Sequence, residues 1–371
     1  MAGDDGSRLH LLWYTATELE EHDLQSAAEV APFLGREGVT WLHVQGLMGP
    51  GVVEAVGAAF GLHPLAVEDV LSGQQRAKAE EYDGQDFIVA YLVTEDAQHH
   101  LTYNRLSLFV GPNYILSLLG GETDPLEPVR QRLRALRAAV RQHGVDHLMY
   151  SLMDTVVDGY FPVLEGFGEY LEFIQDETLL RQRTEALVAI QRAKHELLGL
   201  RRAVWPLREI LNILMRDDNN TVTPPVRHYL RDCYDHVVML IDTVETYREM
   251  ASDLMDAYMS AVSNRLNSVM KILTVIATVF MPLTFIVGLY GMNFRTDVSP
   301  WNMPELTWRY GYPLCWGLMI ATVIGMLIYF RKLGWIGRAD VPPVEDHSGS
   351  SREYGERMAQ GLRRPRRGRQ A

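Results

Sequence analysis

Two apolar runs stand out near the end of the chain. Residues 272–289 and 310–330 contain no charged side chain, and each is close to the ~20 residues an α-helix needs to cross ~30 Å of hydrocarbon. Upstream the pattern is mixed. Runs rich in β-branched and aromatic residues at 9–14, 39–45, 87–93, 105–110 and 114–118 predict strands, the last two joined as a hairpin by Gly111-Pro112-Asn113. Residues 52–60 and 64–71 predict short helices. Residues 124–142 predict an amphipathic helix with Asp124 as N-cap and Pro125 at its first position. Together these make a mixed α/β unit over 1–145.

From 145 to 216 the period lengthens. Leu148, Leu152, Val156 and Tyr160 recur at four-residue steps, and Leu187, Ile190, Leu197, Leu200 and Val204 mark a second segment interrupted by Pro206. This predicts an antiparallel helix pair and linker over 146–225. From 226 to 287 there is no glycine, and the one proline is Pro282. Val226, Leu230, Cys233, Val237, Leu240, Val244, Tyr247, Ala251, Leu254 and Tyr258 follow a heptad rhythm. About 60 helical residues make a rod of ~90 Å, too long for one small domain. It predicts a stalk over 226–268 that packs against copies of itself and continues into a first span over 269–290. Two helices with a break near 260–264 are the alternative. A loop over 291–309 and a second span over 310–331 follow.

Charge refines this picture. The net charge of −12 argues against nucleic acid as a partner and suits surfaces that meet cations. Two cysteines, Cys233 and Cys315, build neither a disulfide framework nor a cysteine zinc site. The first ten residues lack the basic and apolar regions of a signal peptide. Arg265, Lys271, Arg331, Lys332 and Arg338 flank the outer ends of the two runs, while Arg295 and Arg309 in the loop are balanced by Asp297 and Glu305. The positive-inside rule then predicts both termini in the cytoplasm of a multi-pass plasma-membrane protein. The basic tail, 332–371, has no periodicity and is expected to be largely disordered. It either touches anionic lipid or only solubilises.

One face of the first span carries Asn267, Met270, Leu273, Ala277, Met281, Thr284 and Gly288 at three- and four-residue steps. Such a stripe either packs helices together or lines a pore. Two spans cannot enclose an aqueous path, so a pore requires an oligomer. Gly291-Met292-Asn293 follows the span. Asn293 either caps the helix or, repeated around an axis, offers neutral acceptors to a cation that keeps its water, as Mg²⁺ does. No Asp or Glu lies between Lys271 and Arg295, so the wall is neutral. Met270, Leu273 and Met281 would close it by dewetting.

Tyr290-Gly291-Met292-Asn293-Phe294, then Met303-Pro304-Glu305-Leu306 and a last span, resembles the CorA-type magnesium/cobalt transporter family. Further segments agree: His63-Pro64-Leu65-Ala66-Val67-Glu68-Asp69-Val70-Leu71, Trp205-Pro206-Leu207-Arg208-Glu209, Tyr234-Asp235-His236, Asp242-Thr243-Val244-Glu245-Thr246, Ser263-Asn264-Arg265-Leu266-Asn267 and Phe280-Met281-Pro282-Leu283-Thr284-Phe285. The similarity covers roughly residues 40–335. It implies a funnel-shaped homopentamer in the lipid bilayer, with an α/β cytoplasmic domain, a long helical stalk and two C-terminal transmembrane helices. The resemblance makes the stripe from Asn267 to Gly288 pore-facing and gives Asn293 the hydrated ion. It also implies cytoplasmic Mg²⁺ sensing by Asp232 and Asp154, with partners near Glu95 and Asp96. Glu305 matches a loop position that helps gather ions. Residues 295–302 make the loop longer than in the shortest members.

No phosphate loop, Gly-x-Ser-x-Gly or His-Glu-x-x-His occurs, so neither an enzyme nor an ATP-driven pump is expected. No organic cofactor is called for either. Mg²⁺ is expected as cargo and regulator, with Co²⁺ and Ni²⁺ as further cargo. The alternatives are a Zn²⁺ transporter of this architecture and a membrane cation sensor that does not conduct. His99-His100 forms at most a minor transition-metal contact.

Overall fold

The computed structural model describes residues 7–46, 49–73, 76–96, 99–121, 123–135, 139–180, 184–216, 221–295, 297–299 and 301–336. Residues 217–220, within the expected linker, and the tail at 337–371 lie outside them. The chain divides into two compact units, Met1–Met255 and Asp256–Ala371.

The first unit is built on a seven-stranded sheet. Its strands are β1 (Arg8–Tyr14), β2 (Leu19–Leu24), β3 (Val39–Gln45), β4 (Lys78–Tyr82), β5 (Gln85–Glu95), β6 (Leu101–Val110) and β7 (Tyr114–Leu119), in the order β2-β1-β3-β7-β6-β5-β4. β3 and β7 pair in parallel; the other neighbours are antiparallel. Every residue of β3 and β7 is buried, because both faces of the sheet are covered. Leu42, Val44, Leu116 and Leu118 pack with Val53, Val56 and Phe60 of α2 (Pro50–Phe60) and Val70 of α3 (Pro64–Ser72). A strand covered on both sides reads as a nearly continuous apolar run, which is why these strands show in the sequence. β2 and β4 do not show, and both are edges. Their sequences, LEEHDL and KAEEY, carry the charges that keep an edge from pairing with a foreign strand.

Helices complete the unit. α1 (Ala31–Leu34) precedes β3, and His63 caps α3 by accepting from Leu65 N–H at 3.2 Å. The helix expected over 124–142 is divided into α4 (Glu127–Arg134) and α5 (Ala139–Gln142). Asp124 is not the N-cap: α4 begins at Glu127 behind Leu126, and Asp124 closes the preceding turn by accepting from Leu126 N–H at 3.0 Å. Ala135 leaves the helix with an extended backbone. The first arm of the expected pair is divided at Gly159 into α6 (Val145–Asp158) and α7 (Tyr160–Leu180). α8 (Thr184–Leu214) continues straight through Pro206. α6, α7 and α8 cover the sheet face opposite α2 and α3. Leu148, Leu152, Val156 and Tyr160 are fully buried there, and Tyr160 Oη donates to Tyr91 O at 2.6 Å.

α9 (Pro224–Tyr290) is a single 67-residue helix, with no break near 260–264. Its heptad seam corrects one expectation. Val226, Leu230, Cys233, Val237, Leu240, Val244 and Ala251 are buried within the one chain, so the seam does not face copies of itself. α7 and α8 supply its partners. A Cβ on Gly168 would lie 2.5 Å from Tyr247 Oη, Phe161 sits edge-on to His236 at 5.8 Å, and Arg201 meets Glu245 at 3.1 Å. A heptad pattern reports a long apolar stripe but not which helix covers it.

Leu240 is fully buried in this seam. Leu240→Ala is expected to destabilise the fold by about 2–5 kcal/mol, lowering the thermal unfolding midpoint while leaving the assembly size unchanged. Loss of assembly at unchanged stability, read by light scattering, would return the seam to self-association.

Candidate cation path and carboxylate cluster

In the second unit, the most apolar window of α9 has a mean hydropathy of 2.4 and none of it is buried. α10 (Gly311–Lys332) reaches 1.9 with 6% buried. Apolar surface of this extent has no place in water, and both helices are long enough to span a bilayer. Aromatic residues gather where such helices meet an interface: Trp308, Tyr310, Tyr312 and Trp316 at one end of α10, Tyr329, Phe330 and Trp335 at the other.

The faces of the α9 span are unequal. Val275, Thr278, Val279, Leu283, Ile286 and Tyr290 are partly covered. A groove of about 570 Å³ between the spans is lined by Phe280, Leu283, Thr284 and Val287 with Trp316, Met319, Ile320, Val323 and Ile324. The stripe of Asn267, Met270, Leu273, Ala277, Met281, Thr284 and Gly288 is exposed throughout, with Met281 at 70%. Thr284 borders both surfaces. Its hydroxyl donates to Phe280 O at 2.9 Å, so it adds little polarity to either. Pro282 stays within the helix.

The end of α9 does not use Asn293 as a cap. Gly291 N–H continues the helical ladder to Val287 O at 2.8 Å, and Met292 N–H bonds Leu289 O at 3.3 Å. Gly291 does not enter the left-handed region; a Cβ there would lie 3.1 Å from Val287 O, tighter than usual contact. Asn293 is exposed, and among the described residues its carboxamide has no hydrogen-bond partner. Backbone groups close the helix and leave that side chain available. The longer loop is tied to itself. Arg295 pairs with Asp297, and Asn302 Nδ2 donates to Arg295 O at 2.7 Å. The pairing lowers the Asp297 pKa below its ordinary value through the Arg295 hydrogen bond. Glu305 lies in a short 3₁₀ turn, Pro304–Thr307, entered through Met303 at φ 46°. Gly311 is required beneath it, since a Cβ would lie 2.1 Å from Glu305 O.

The acidic residues divide in a way their sequence spacing does not reveal. Asp154 is buried, with Arg132 Nη1 at 3.8 Å. Its carboxylate, that of Asp158 one turn on, and the His236 ring of α9 bring their ligand atoms within 4.8 Å of one another. His236 Nδ1 is buried without a hydrogen-bond partner. Asp232 is exposed on α9, one turn before His236, and outside this group. Glu95 and Asp96 are also outside it and serve the β5–β6 turn. His99 Nδ1 meets Glu95 Oε1 at 2.6 Å, and Asp96 Oδ1 accepts from His100 N–H at 2.9 Å. Asp158 and His236 are the residues sequence reasoning missed. The signal available was the i, i+4 spacing of Asp154 and Asp158 on one helix. Cys233 is buried beside them. Burial, aided by the charges of Asp154, Asp158 and Asp232, holds its thiol far above the ordinary range.

The profile described as CorA-like Mg2+ transporter protein matches residues 36–332. A cobalt/magnesium transport protein CorA of Thermotoga maritima is 39% identical over 329 residues, 88% of this chain and 92% of that protein. A putative metal ion transporter of Bacillus subtilis, YfjQ, is 37% identical over 276 residues, 74% of this chain and 83% of that one. Among solved structures, the complete CorA magnesium transporter of Methanocaldococcus jannaschii matches with a TM-score of 0.74 at 20% identity, covering 89% of this chain and 98% of that one. At that identity the likeness speaks for the fold.

A raised thiol pKa leaves less thiolate at any given pH, and the thiolate is the reactive form. In a Cys315→Ser background, Cys233 is therefore expected to resist maleimide up to pH 9 and to react only on unfolding. Labelling of the native protein at the rate of a free thiol would place Cys233 outside the packed interior.

Proposed function

We propose that this chain, which belongs to the CorA-like Mg2+ transporter protein family, forms a homopentameric plasma-membrane channel that admits hydrated Mg²⁺, and also Co²⁺ and Ni²⁺, into the cytoplasm. The observation that carries the reading is the pairing of an exposed, charge-free stripe on the α9 span with an unengaged asparagine at its end. Five copies of Asn293 would present neutral oxygen acceptors to an ion that keeps its water. A carboxylate ring would hold the ion and slow its exit. Met270, Leu273 and Met281 would close the path when drawn together. No nucleotide is needed, since a divalent ion gains about 4.6 kcal/mol per 100 mV, twice the single-charge figure. Both termini are cytoplasmic in this reading.

Control comes from the first unit. Asp154, Asp158 and His236 offer two carboxylates and an imidazole to a divalent ion. The carboxylates suit Mg²⁺, and the imidazole adds preference for Co²⁺ or Ni²⁺. His236 lies on α9 itself, so an ion held there would bias the helix that continues into the span. Asp232, on the same stretch of helix, would add charge at the subunit surface. When internal Mg²⁺ falls, the carboxylates lose their counter-ion and their repulsion favours opening.

Uptake into proteoliposomes under an inside-negative potential tests both parts. Asn293→Ala is expected to cut Mg²⁺ flux by tenfold or more, the equivalent of about 1.4 kcal/mol. Flux at the unsubstituted level would remove Asn293 from the path. Asp158→Asn, at an exposed position, is expected to retain flux but to need severalfold more internal Mg²⁺ for closure. An unchanged closing concentration would dissociate the cluster from control.

A further inference from the structure

A second polar site lies on the sheet face that carries α4. His43 projects from β3, and Arg130 from α4, into a cavity of about 510 Å³ that His10 and Gln45 also line and Arg8 and Arg134 border. The side chains of His43 and Arg130 are 2% and 7% exposed, yet His43 Nε2 and Arg130 Nη1 are each buried without a hydrogen-bond partner, while His10 Nε2 faces Glu21 Oε2 at 3.5 Å. Buried polar atoms are nearly always satisfied, so two in one cavity point to a ligand that completes them.

The chemistry of that partner follows from the tautomer of His43. Ser117 Oγ accepts from Trp41 Nε1 at 2.8 Å and lies 2.7 Å from His43 Nδ1, but 3.5 Å from Leu42 O. Its single proton is best placed on His43 Nδ1, which leaves the ring's own hydrogen on Nε2. The carboxylate of Asp124, 3.7 Å from Nε2 and beyond hydrogen-bond range, favours the same tautomer. Burial keeps the ring neutral, holding it well below the ordinary histidine range against the opposing pull of Asp124. Nε2–H is thus a donor, as is Arg130 Nη1.

The acids around the cavity are already engaged. Asp124 and Glu127 hold Arg130 and Arg134, Glu21 holds Arg134, and Asp23 holds His10 Nδ1 at 2.7 Å. Arg8, exposed at the mouth, has no carboxylate partner among the described residues. Open donors and one spare cation, with every neighbouring acid occupied, define a receptor for oxygen acceptors bearing negative charge. We propose that this cavity binds a small organic oxyanion, a phosphate or carboxylate held by Arg130 Nη1 and His43 Nε2 with Arg8 closing over it. The volume exceeds that of a bare ion and leaves room for a metabolite body.

Calorimetric titration of the full-length protein in detergent tests this, in magnesium-free buffer at constant ionic strength. Sodium phosphate, sodium citrate and AMP serve as separate probes. Saturable heat with phosphate and AMP, or with citrate, is the expected result and identifies which oxyanion the cavity prefers. Arg130→Met is expected to abolish it. Because Arg130 also lies over Trp41, at 5.8 Å, that variant can lose its fold. Arg8→Gln, at an exposed position, is the control and is expected to weaken binding tenfold with the melting temperature unchanged. No saturable heat with any probe, or equal heat in Arg8→Gln and a folded Arg130→Met, would overturn the proposal and leave the donors to water.

Discussion

Hydrocarbon offers no hydrogen bonds, and most of this protein follows from that. A backbone crossing it must satisfy every N–H and C=O internally, so the apolar end of α9 has to remain helical through Pro282 until Gly291. The same rule dictates how the helix stops. Gly291 and Met292 return their N–H groups to Val287 and Leu289, and the chain leaves the helix without help from a side chain. Asn293 is then exposed just past the last turn of the helix. A residue that had to cap the helix could not also take the role proposed for Asn293.

The first unit answers a different demand. Its sheet is buried on both faces, which makes a rigid platform for α6, α7 and α8, and side chains of these helices meet the heptad stretch of α9. That packing turns Asp154 and Asp158 toward His236 and seals Cys233 against Asp154, Asp158 and Asp232. Charge concentrated on so well-packed a helix is costly unless something compensates it. Arg132 compensates Asp154 in part, at 3.8 Å; a divalent ion at the proposed site would complete the compensation and couple its own concentration to the set of the helix. The cavity at His43 and Arg130 has the same logic with opposite sign: Asp124 and Glu127 hold two of the Arg130 nitrogens, and Arg130 Nη1 and His43 Nε2 are buried without a partner.

Much of this was legible in the sequence, and the reasons differ from element to element. The spans and the neutral stripe were legible because a membrane selects on length and hydropathy, both linear quantities. β3, β5, β6 and β7 were legible because two-sided burial writes continuous apolar runs. β2 and β4 were not, because an edge strand is stabilised by its neighbour's hydrogen bonds and its own residues look like a loop. The division of 124–142 was not, because Ala135 takes an extended backbone that no residue type at that position announces. The family resemblance carried Gly291, Met292 and Asn293 onto their positions, but it could not say that Asn293 is released from capping.

The sequence by itself determined the two membrane-length apolar runs, the absence of charge along the first of them and the length of the helix beneath it. These are sums along the chain, and order alone suffices for them. Tertiary structure decided the pairings: that the heptad seam is covered by α6, α7 and α8 of its own chain, that Asp154 meets Asp158 and His236 while Glu95 and Asp96 serve a turn, and that His43 and Arg130 face one cavity. Pairings depend on distances between residues far apart in sequence, set by how the sheet and helices stack, and no local pattern encodes them.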